Sequence, residues 1–340
     1  MGKLKITAKR LIIKYGRRLT SLKWPDNGLL NVGIICDGGF SSQEWQNALE
    51  SNFKDYEKFY NVVFIKNRLQ KYILSENINI YFTSWLDKEY LNSAKNLKWV
   101  HFPQAGLEFL GDADMKNIKI TTSVGLSSKH IAEHVLSFIF MFLRRLDIAI
   151  INQIKGQWKQ KDILPEIRPM EGITIGICGL GNSGRKVASI CKRIGFKVVG
   201  FDKQAAVEVD HLDALFNRDK FENFLKEADF VIICLPLNSE TLGMFGLKEF
   251  QLMKRNAFLI NVARGDIILE KDLKEAIKRK IIAGAALDVL SKEPPRYRRN
   301  SLQNCKNIVI TPHVAGNIHS INKEIQLDFI NKLKNYISFR

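Results

Sequence analysis

An α/β protein built from two doubly wound parallel-sheet domains is what this sequence predicts, and three observations predict it. The chain has 340 residues, more than one ordinary core organises. From residue 29 onward, short and almost wholly apolar runs alternate with amphipathic stretches, the pattern of buried parallel strands covered by helices. One of those runs, residues 173–178, passes directly into a turn with three glycines that opens a helical pattern.

The elements follow in order. Residues 1–25 carry eight Lys or Arg and no acid, and they supply much of the formal net charge of +17. Residues 1–28 read as a basic extension. A solvated arm is its plain interpretation. Nucleic acid or an anionic membrane surface is the partner such a charge would take, and an organelle transit segment would look similar. No apolar stretch follows it, which argues against a secretory signal.

Asn31-Val-Gly-Ile-Ile-Cys36 predicts a buried strand, Asp37-Gly38-Gly39 a turn, and the stretch from Ser41 to Ser51 a helix capped by Ser41 or Ser42. The run ending at Phe82, then residues 98–102 and 118–121, continue the strand series without any glycine fingerprint. Ser127 and Ser128 are placed to cap a helix whose apolar residues Ile131, Val135, Phe138, Ile139, Phe142 and Leu146 follow a helical spacing, which predicts a long helix connecting two α/β blocks. Pro165 and Pro169 then break the chain. In the second block residues 173–178, 197–201, 230–234, 257–261, 281–287 and 307–311 predict a parallel sheet covered on both faces.

Composition narrows the class. With 46% hydrophobic and 26% charged residues the chain reads as globular, and no apolar run reaches the length of a membrane span. Five cysteines form no CxxC pair, and three lie inside apolar runs, the usage of a reducing compartment; a cytoplasmic location is expected. His130 and His134 lie one helical turn apart, but no third ligand stands out and no metal is expected.

Gly179-Leu180-Gly181-Asn182-Ser183-Gly184 sits between a strand and a helix, where each glycine has a physical reason. The first permits a tight turn, the second lets a pyrophosphate approach the backbone, and the third lets helix and strand pack closely. Asp202 ends the next strand, about twenty residues on, where a carboxylate bonds the adenosine ribose hydroxyls. It repels a 2′-phosphate, so NAD is expected over NADP, a preference that the neighbouring Lys203 softens.

Three later motifs occur in order: Asn261-Val262-Ala263-Arg264-Gly265; Ala286-Leu287-Asp288-Val289 followed by Glu293-Pro294; and Thr311-Pro312-His313-Val314-Ala315-Gly316. Reduction of a 2-oxo acid asks for these residue types. A guanidinium holds the carboxylate and polarises the carbonyl, a histidine protonates the developing alkoxide, and a carboxylate orients that histidine. Arg264, His313 and Glu293 fit these roles, each after a predicted strand or strand-end turn.

With these motifs the sequence resembles the D-isomer-specific 2-hydroxyacid dehydrogenases from about residue 31 to its end. The resemblance implies hydride transfer between NAD(H) and a small 2-oxo or 2-hydroxy acid, with Arg264, Glu293 and His313 catalytic. It places Pro236 and Leu237 on the adenine side, Asp288 at the nicotinamide carboxamide, the Ala263 backbone towards the cofactor and Gly316 beside it. It also assigns Ala105, Gly106 and Leu107, in Pro-Gln-Ala-Gly-Leu-Glu, to the substrate carboxylate. A Rossmann domain over 127–313 would be inserted into a flavodoxin-like substrate domain made of 29–126 and 314–340, and a homodimer is implied. The sequence departs from the family pattern at Ser183, where an aliphatic residue is usual, at Gln104, where a small one is common, and in the basic run 296–299. Lys66, Arg68 and Lys71 are the cations a phosphorylated substrate would call on. The alternative is an NAD-sensing, non-enzymatic binding protein of the corepressor kind that uses the basic arm.

Overall fold

The computed structural model describes residues 28–36, 39–104, 106–107, 110, 115, 117–203, 210–295 and 302–338. The chain divides into two compact units: Met1–Val124 with His319–Arg340, and Gly125–Ile318. Residues 1–27 of the basic extension, the run 296–299 and Ala105 lie outside the described residues.

The first unit holds a five-stranded, all-parallel sheet in the order β2-β1-β3-β4-β5. Its strands are β1 (Leu30–Ile35), β2 (Tyr60–Ile65), β3 (Ile80–Phe82), β4 (Trp99–Phe102) and β5 (Lys119–Thr122). Helix α1 (Ser42–Phe53) begins at Ser41, whose hydroxyl accepts from the Glu44 amide while the Glu44 carboxylate accepts from the Ser41 amide. This reciprocal cap satisfies two donors that a helix start would otherwise leave bare. On one face Trp45 of α1 meets Phe82 edge-on at 4.8 Å and Phe329 at 5.7 Å. Phe329 belongs to the last helix, described below as α11. The opposite face buries Tyr81 against Tyr90 and Leu74, from α3 (Lys88–Ser93) and α2 (Arg68–Leu74). Strand β2 is an edge strand that the apolar pattern did not reveal, because four of its six residues are only half-buried.

The second unit holds seven parallel strands in the order β12-β11-β10-β9-β6-β7-β8. They are β6 (Thr174–Cys178), β7 (Lys197–Phe201), β8 (Ala214–Phe216), β9 (Phe230–Ile233), β10 (Phe258–Asn261), β11 (Gly284–Leu287) and β12 (Ile308–Ile310). Successive strand side chains go to opposite faces. Val231, Ile233 and Leu259 enter one core with Phe224 and Phe250, whereas Ile232, Phe230 and Ile260 enter the other with Ile175 and Val187.

The predicted long helix is α4 (Ser128–Leu143), and its buried residues Ala132, Val135, Phe138, Ile139 and Phe142 join that second core. It therefore packs on the second sheet instead of merely linking two blocks. Ser127 does precede it, but in helical backbone geometry and without a side-chain cap, so the capping expected of it is absent. The helix is followed by α5 (Leu146–Ile154) and α6 (Gln160–Ile163). Helix α7 (Asn182–Arg193) follows β6; α8 (Phe221–Glu227), α9 (Leu247–Leu252) and α10 (Glu270–Lys278) complete the layers of this unit.

Helix α11 (Ile321–Ser338) returns to the first sheet, burying Phe329, Ile330 and Leu333. It is pinned by Ser123 donating to Asp328 and by Lys332 donating to the Thr122 carbonyl. Among the described residues no helix is long and apolar enough to cross a membrane.

Candidate active site

The order of the second sheet reverses between β6 and β9, and ligands of open parallel sheets sit at the carboxyl ends of strands beside such a reversal. The glycine turn stands there. Gly179 has φ +98°, and a Cβ on it would fall 2.9 Å from the Cys234 carbonyl and the Leu235 nitrogen. A Cβ on Gly184 would fall 1.9 Å from the Gly179 oxygen, so the turn and helix α7 can only close on a glycine. Gly181 is exposed with open space where a Cβ would be, and it begins α7 without a side-chain cap. First-turn amides left without such a cap are donors for an anion, reinforced by the helix dipole. A pyrophosphate fits this arrangement. Asn182 is exposed on the same turn. Ser183, the departure from an aliphatic residue, places its hydroxyl 3.5 Å from that of Ser128 on α4.

Asp202 follows β7, half-buried, and one carboxylate oxygen accepts from the Leu180 amide at 2.9 Å. The loop after β9 is fixed by its own side chains. Thr241 donates to the Pro236 carbonyl at 2.6 Å, Asn238 accepts from the amides of Glu240 and Thr241, and Leu237 packs against the core.

At the neighbouring edge, three adjacent strands deliver the remaining residues. After β10, the wholly buried Asn261 closes a turn: its amide nitrogen donates to the Arg264 carbonyl and its oxygen accepts from the Ala263 amide. Arg264 Nη1 donates to the Ala263 carbonyl at 2.7 Å. Ala263 therefore spends both backbone groups inside the turn. After β11, Asp288 is buried and accepts from the Thr311 hydroxyl and from the Val314 and Ala315 amides. Expected at the nicotinamide, it is engaged here in holding the loop that follows β12.

That loop presents His313 with φ +54°, a left-handed conformation uncommon outside glycine, fixed by its amide donating to the Asp288 and Thr311 carbonyls. The ring meets Glu293: Nδ1 lies 2.6 Å from Oε2. The other Glu293 oxygen accepts from the Leu290 amide at 2.8 Å, so the carboxylate is itself held. A carboxylate at Nδ1 fixes that nitrogen as the donor and leaves Nε2 for a reacting oxygen.

In the first unit, Gln104 donates to the Ser84 carbonyl at 2.6 Å, tying the start of the Pro-Gln-Ala-Gly loop to the end of β3. Gly106 and Leu107 follow, both half-buried.

Residues 136–315 match the family model described as D-isomer specific 2-hydroxyacid dehydrogenase, NAD binding domain. The glyoxylate reductase of Thermococcus litoralis is 31% identical over 287 residues, covering 79% of this chain and 85% of that protein. The chain belongs to the D-isomer specific 2-hydroxyacid dehydrogenase family.

Two solved structures share the fold of this dehydrogenase. One is the NADPH-dependent glyoxylate/hydroxypyruvate reductase of Sinorhizobium meliloti in complex with NADP and sulfate, with TM-score 0.77, 22% identity, and coverage of 91% of this chain and 95% of that one. The other is the D-lactate dehydrogenase of Aquifex aeolicus with NAD and lactic acid, with TM-score 0.73, 23% identity, and coverage of 91% and 96%. Nothing in these likenesses supports the non-enzymatic role weighed for the basic arm.

Two contributors to the dehydrogenase site escaped the sequence reading. A Cβ on Gly265 would lie 2.0 Å from the Leu290 carbonyl carbon, so the Arg264 turn packs directly on the backbone that leads to Glu293. The glycine in Asn-Val-Ala-Arg-Gly was the available signal. His134 donates to or accepts from Thr311 at 3.1 Å, with Asp288 Oδ1 at 3.7 Å, whereas His130 meets Glu133. The two histidines thus serve different neighbours. Gly316 packs on Ser127, where a Cβ would come to 3.1 Å.

Proposed function

We propose that this chain interconverts a small 2-oxo acid and its D-2-hydroxy acid, with His313 as general acid and base, Glu293 as its partner and Arg264 as the clamp on the substrate carboxylate. The 2.6 Å contact between His313 Nδ1 and Glu293 Oε2 carries the proposal. In reduction the nicotinamide, when bound, supplies the hydride. His313 Nε2 then gives a proton to the oxygen that gains negative charge, and Glu293 stabilises the charged ring before that transfer. Arg264 pairs with the carboxylate through two parallel N–H donors, a geometry lysine cannot offer. In the first unit, the amides at Gly106 and Leu107 are proposed as substrate-binding donors.

NAD is the proposed dinucleotide in preference to NADP. The support is Asp202, a carboxylate beside the glycine turn, where a 2′-phosphate would add like charge. Gly179, Gly181, Asn182, Ser183 and Gly184 would hold the pyrophosphate, and Pro236 and Leu237 would flank the adenine. Asp288 acts through the loop carrying His313 and, on this reading, also meets the nicotinamide amide.

A homodimer is proposed from helix α5. Leu146, Ile150 and Ile154 recur every four residues on one face and are exposed, Ile154 at 80%, with Trp158 at 92% just beyond. A row of large apolar side chains at helical spacing is what a second copy of the same face would cover. Cys178, Cys191 and Cys234 form no disulfide, and burial pushes the thiols of Cys191 and Cys234 up to about 12, which supports a reducing, cytoplasmic setting.

The test is replacement of His313 by Asn. Turnover of a 2-oxo acid should fall about 10²–10⁴-fold, with dinucleotide affinity kept. Full activity in that variant would remove His313 from the mechanism.

A further inference from the structure

The first two cations that follow Asp202 in the sequence are already engaged. Asp202 stands at the end of β7, and Lys203 follows it. Residues 204–217 contain no other Lys or Arg, and Arg218 comes next, just after β8, the strand paired with β7. A 2′-phosphate at the adenosine ribose is ordinarily received by a basic side chain near this edge. Here both candidates meet one carboxylate on the loop after β9. Glu240 Oε2 lies 2.9 Å from Lys203 Nζ, and Oε1 lies 3.9 Å from Arg218 Nη1.

We propose that Glu240 helps to select the dinucleotide by holding Lys203 and Arg218 away from a 2′-phosphate and cancelling part of their charge. The proposal rests on the reading of Gly179–Asp202 as the dinucleotide site and deepens it. Asp202 supplies repulsion, and Glu240 withholds the compensation. The loop is built to keep the acid in place: its amide donates to Asn238, and Asn238 and Thr241 lock the turn around it. Exposed ion pairs of this kind contribute little to stability. Their consequence here is the sign of the field at one edge, which a dianionic phosphate reads and a hydroxyl does not.

The experiment is dinucleotide binding, followed by nicotinamide fluorescence without substrate, in wild-type protein, in Glu240→Gln, and in Glu240→Gln combined with Lys203→Met and Arg218→Gln. The side chains changed are exposed, so the fold is undisturbed. Glu240→Gln should tighten NADPH by roughly three- to tenfold relative to NADH. The triple variant should lose that gain, and the gain should shrink in 0.5 M salt, where charges are screened beyond about 4 Å. An unchanged NADPH to NADH ratio in Glu240→Gln, or a gain that survives in the triple variant, overturns the role of Glu240 and leaves the dinucleotide site standing. Failure of wild-type protein to bind either dinucleotide removes the site and this inference together.

Discussion

His313 shows how backbone and side chain are set together. Its left-handed φ turns the ring towards Glu293, and Asp288 holds the following amides so that the conformation does not relax. Gly265 does comparable work for Arg264. Gly265→Ala should destabilise by about 1–3 kcal/mol, since the added methyl meets backbone that cannot rotate away; turnover should also fall, because Arg264 and the Glu293 loop move apart. Chemical denaturation and kcat/KM measured on the same variant check both. His101 offers a pH test. Its ring is wholly buried between Thr121 and Ser123, and burial, with Lys332 adding to it and Asp328 opposing, pushes it down to about 3 from 6.5. The folded state therefore binds the proton less well than the unfolded chain. The His101 contribution is complete above about pH 6.5 and is lost as pH falls from 6.5 towards 3. Between pH 7.5 and 5.5 the loss should be about 1.4 kcal/mol. Comparison of unfolding midpoints for wild type and His101→Gln at the two pH values tests it, and an equal pH slope in both would contradict it.

Among the elements, what the sequence disclosed depended on how each is buried. The strands of the second sheet are apolar on both faces, so β6, β7, β9, β10, β11 and β12 could be read from continuous runs. Strand β2 sits at an edge with most of its residues half-buried, and β8, at the other sheet's edge, is half-buried throughout; neither gives a run of buried apolar residues that stands out. The sequence offered Ser41 or Ser42 as the cap, the reciprocal bonds with Glu44 settle it on Ser41, and Ser41→Ala should cost about 1 kcal/mol in thermal or chemical unfolding. Ser127 precedes α4 in helical backbone geometry and does not cap it, and Gly316 packs beside it. Helix α5 yields the prediction for assembly. Ile150→Glu with Ile154→Glu should convert a dimer to monomer in sedimentation; a wild-type monomer, or a dimer untouched by the pair, would rule out this face.

For the whole molecule, the candidate site was legible as a set of motifs in order: a glycine turn after a strand, Asp202 after the next, and Arg264, Glu293 and His313 at later strand ends. Each alone is common; the parallel sheet gives the order meaning, because it brings successive carboxyl ends to one edge. What the order could not show is which groups spend their hydrogen bonds within the scaffold. The bonds of Asp288 with Thr311, Val314 and Ala315 are contacts between distant segments with no local signature, and the glycine at 265 does not by itself reveal that residue 290 is what it meets. The reaction proposed for this scaffold is hydride transfer from NADH to a 2-oxo acid. The most direct measurement follows nicotinamide absorbance with the purified full chain, NADH or NADPH, and a panel of 2-oxo acids with and without phosphate groups. NADH should be oxidised by at least one of them, with NADPH poorer and the rate abolished or nearly so in His313→Asn. NADH that binds yet is oxidised by none of the panel, or a rate indifferent to His313, would contradict it.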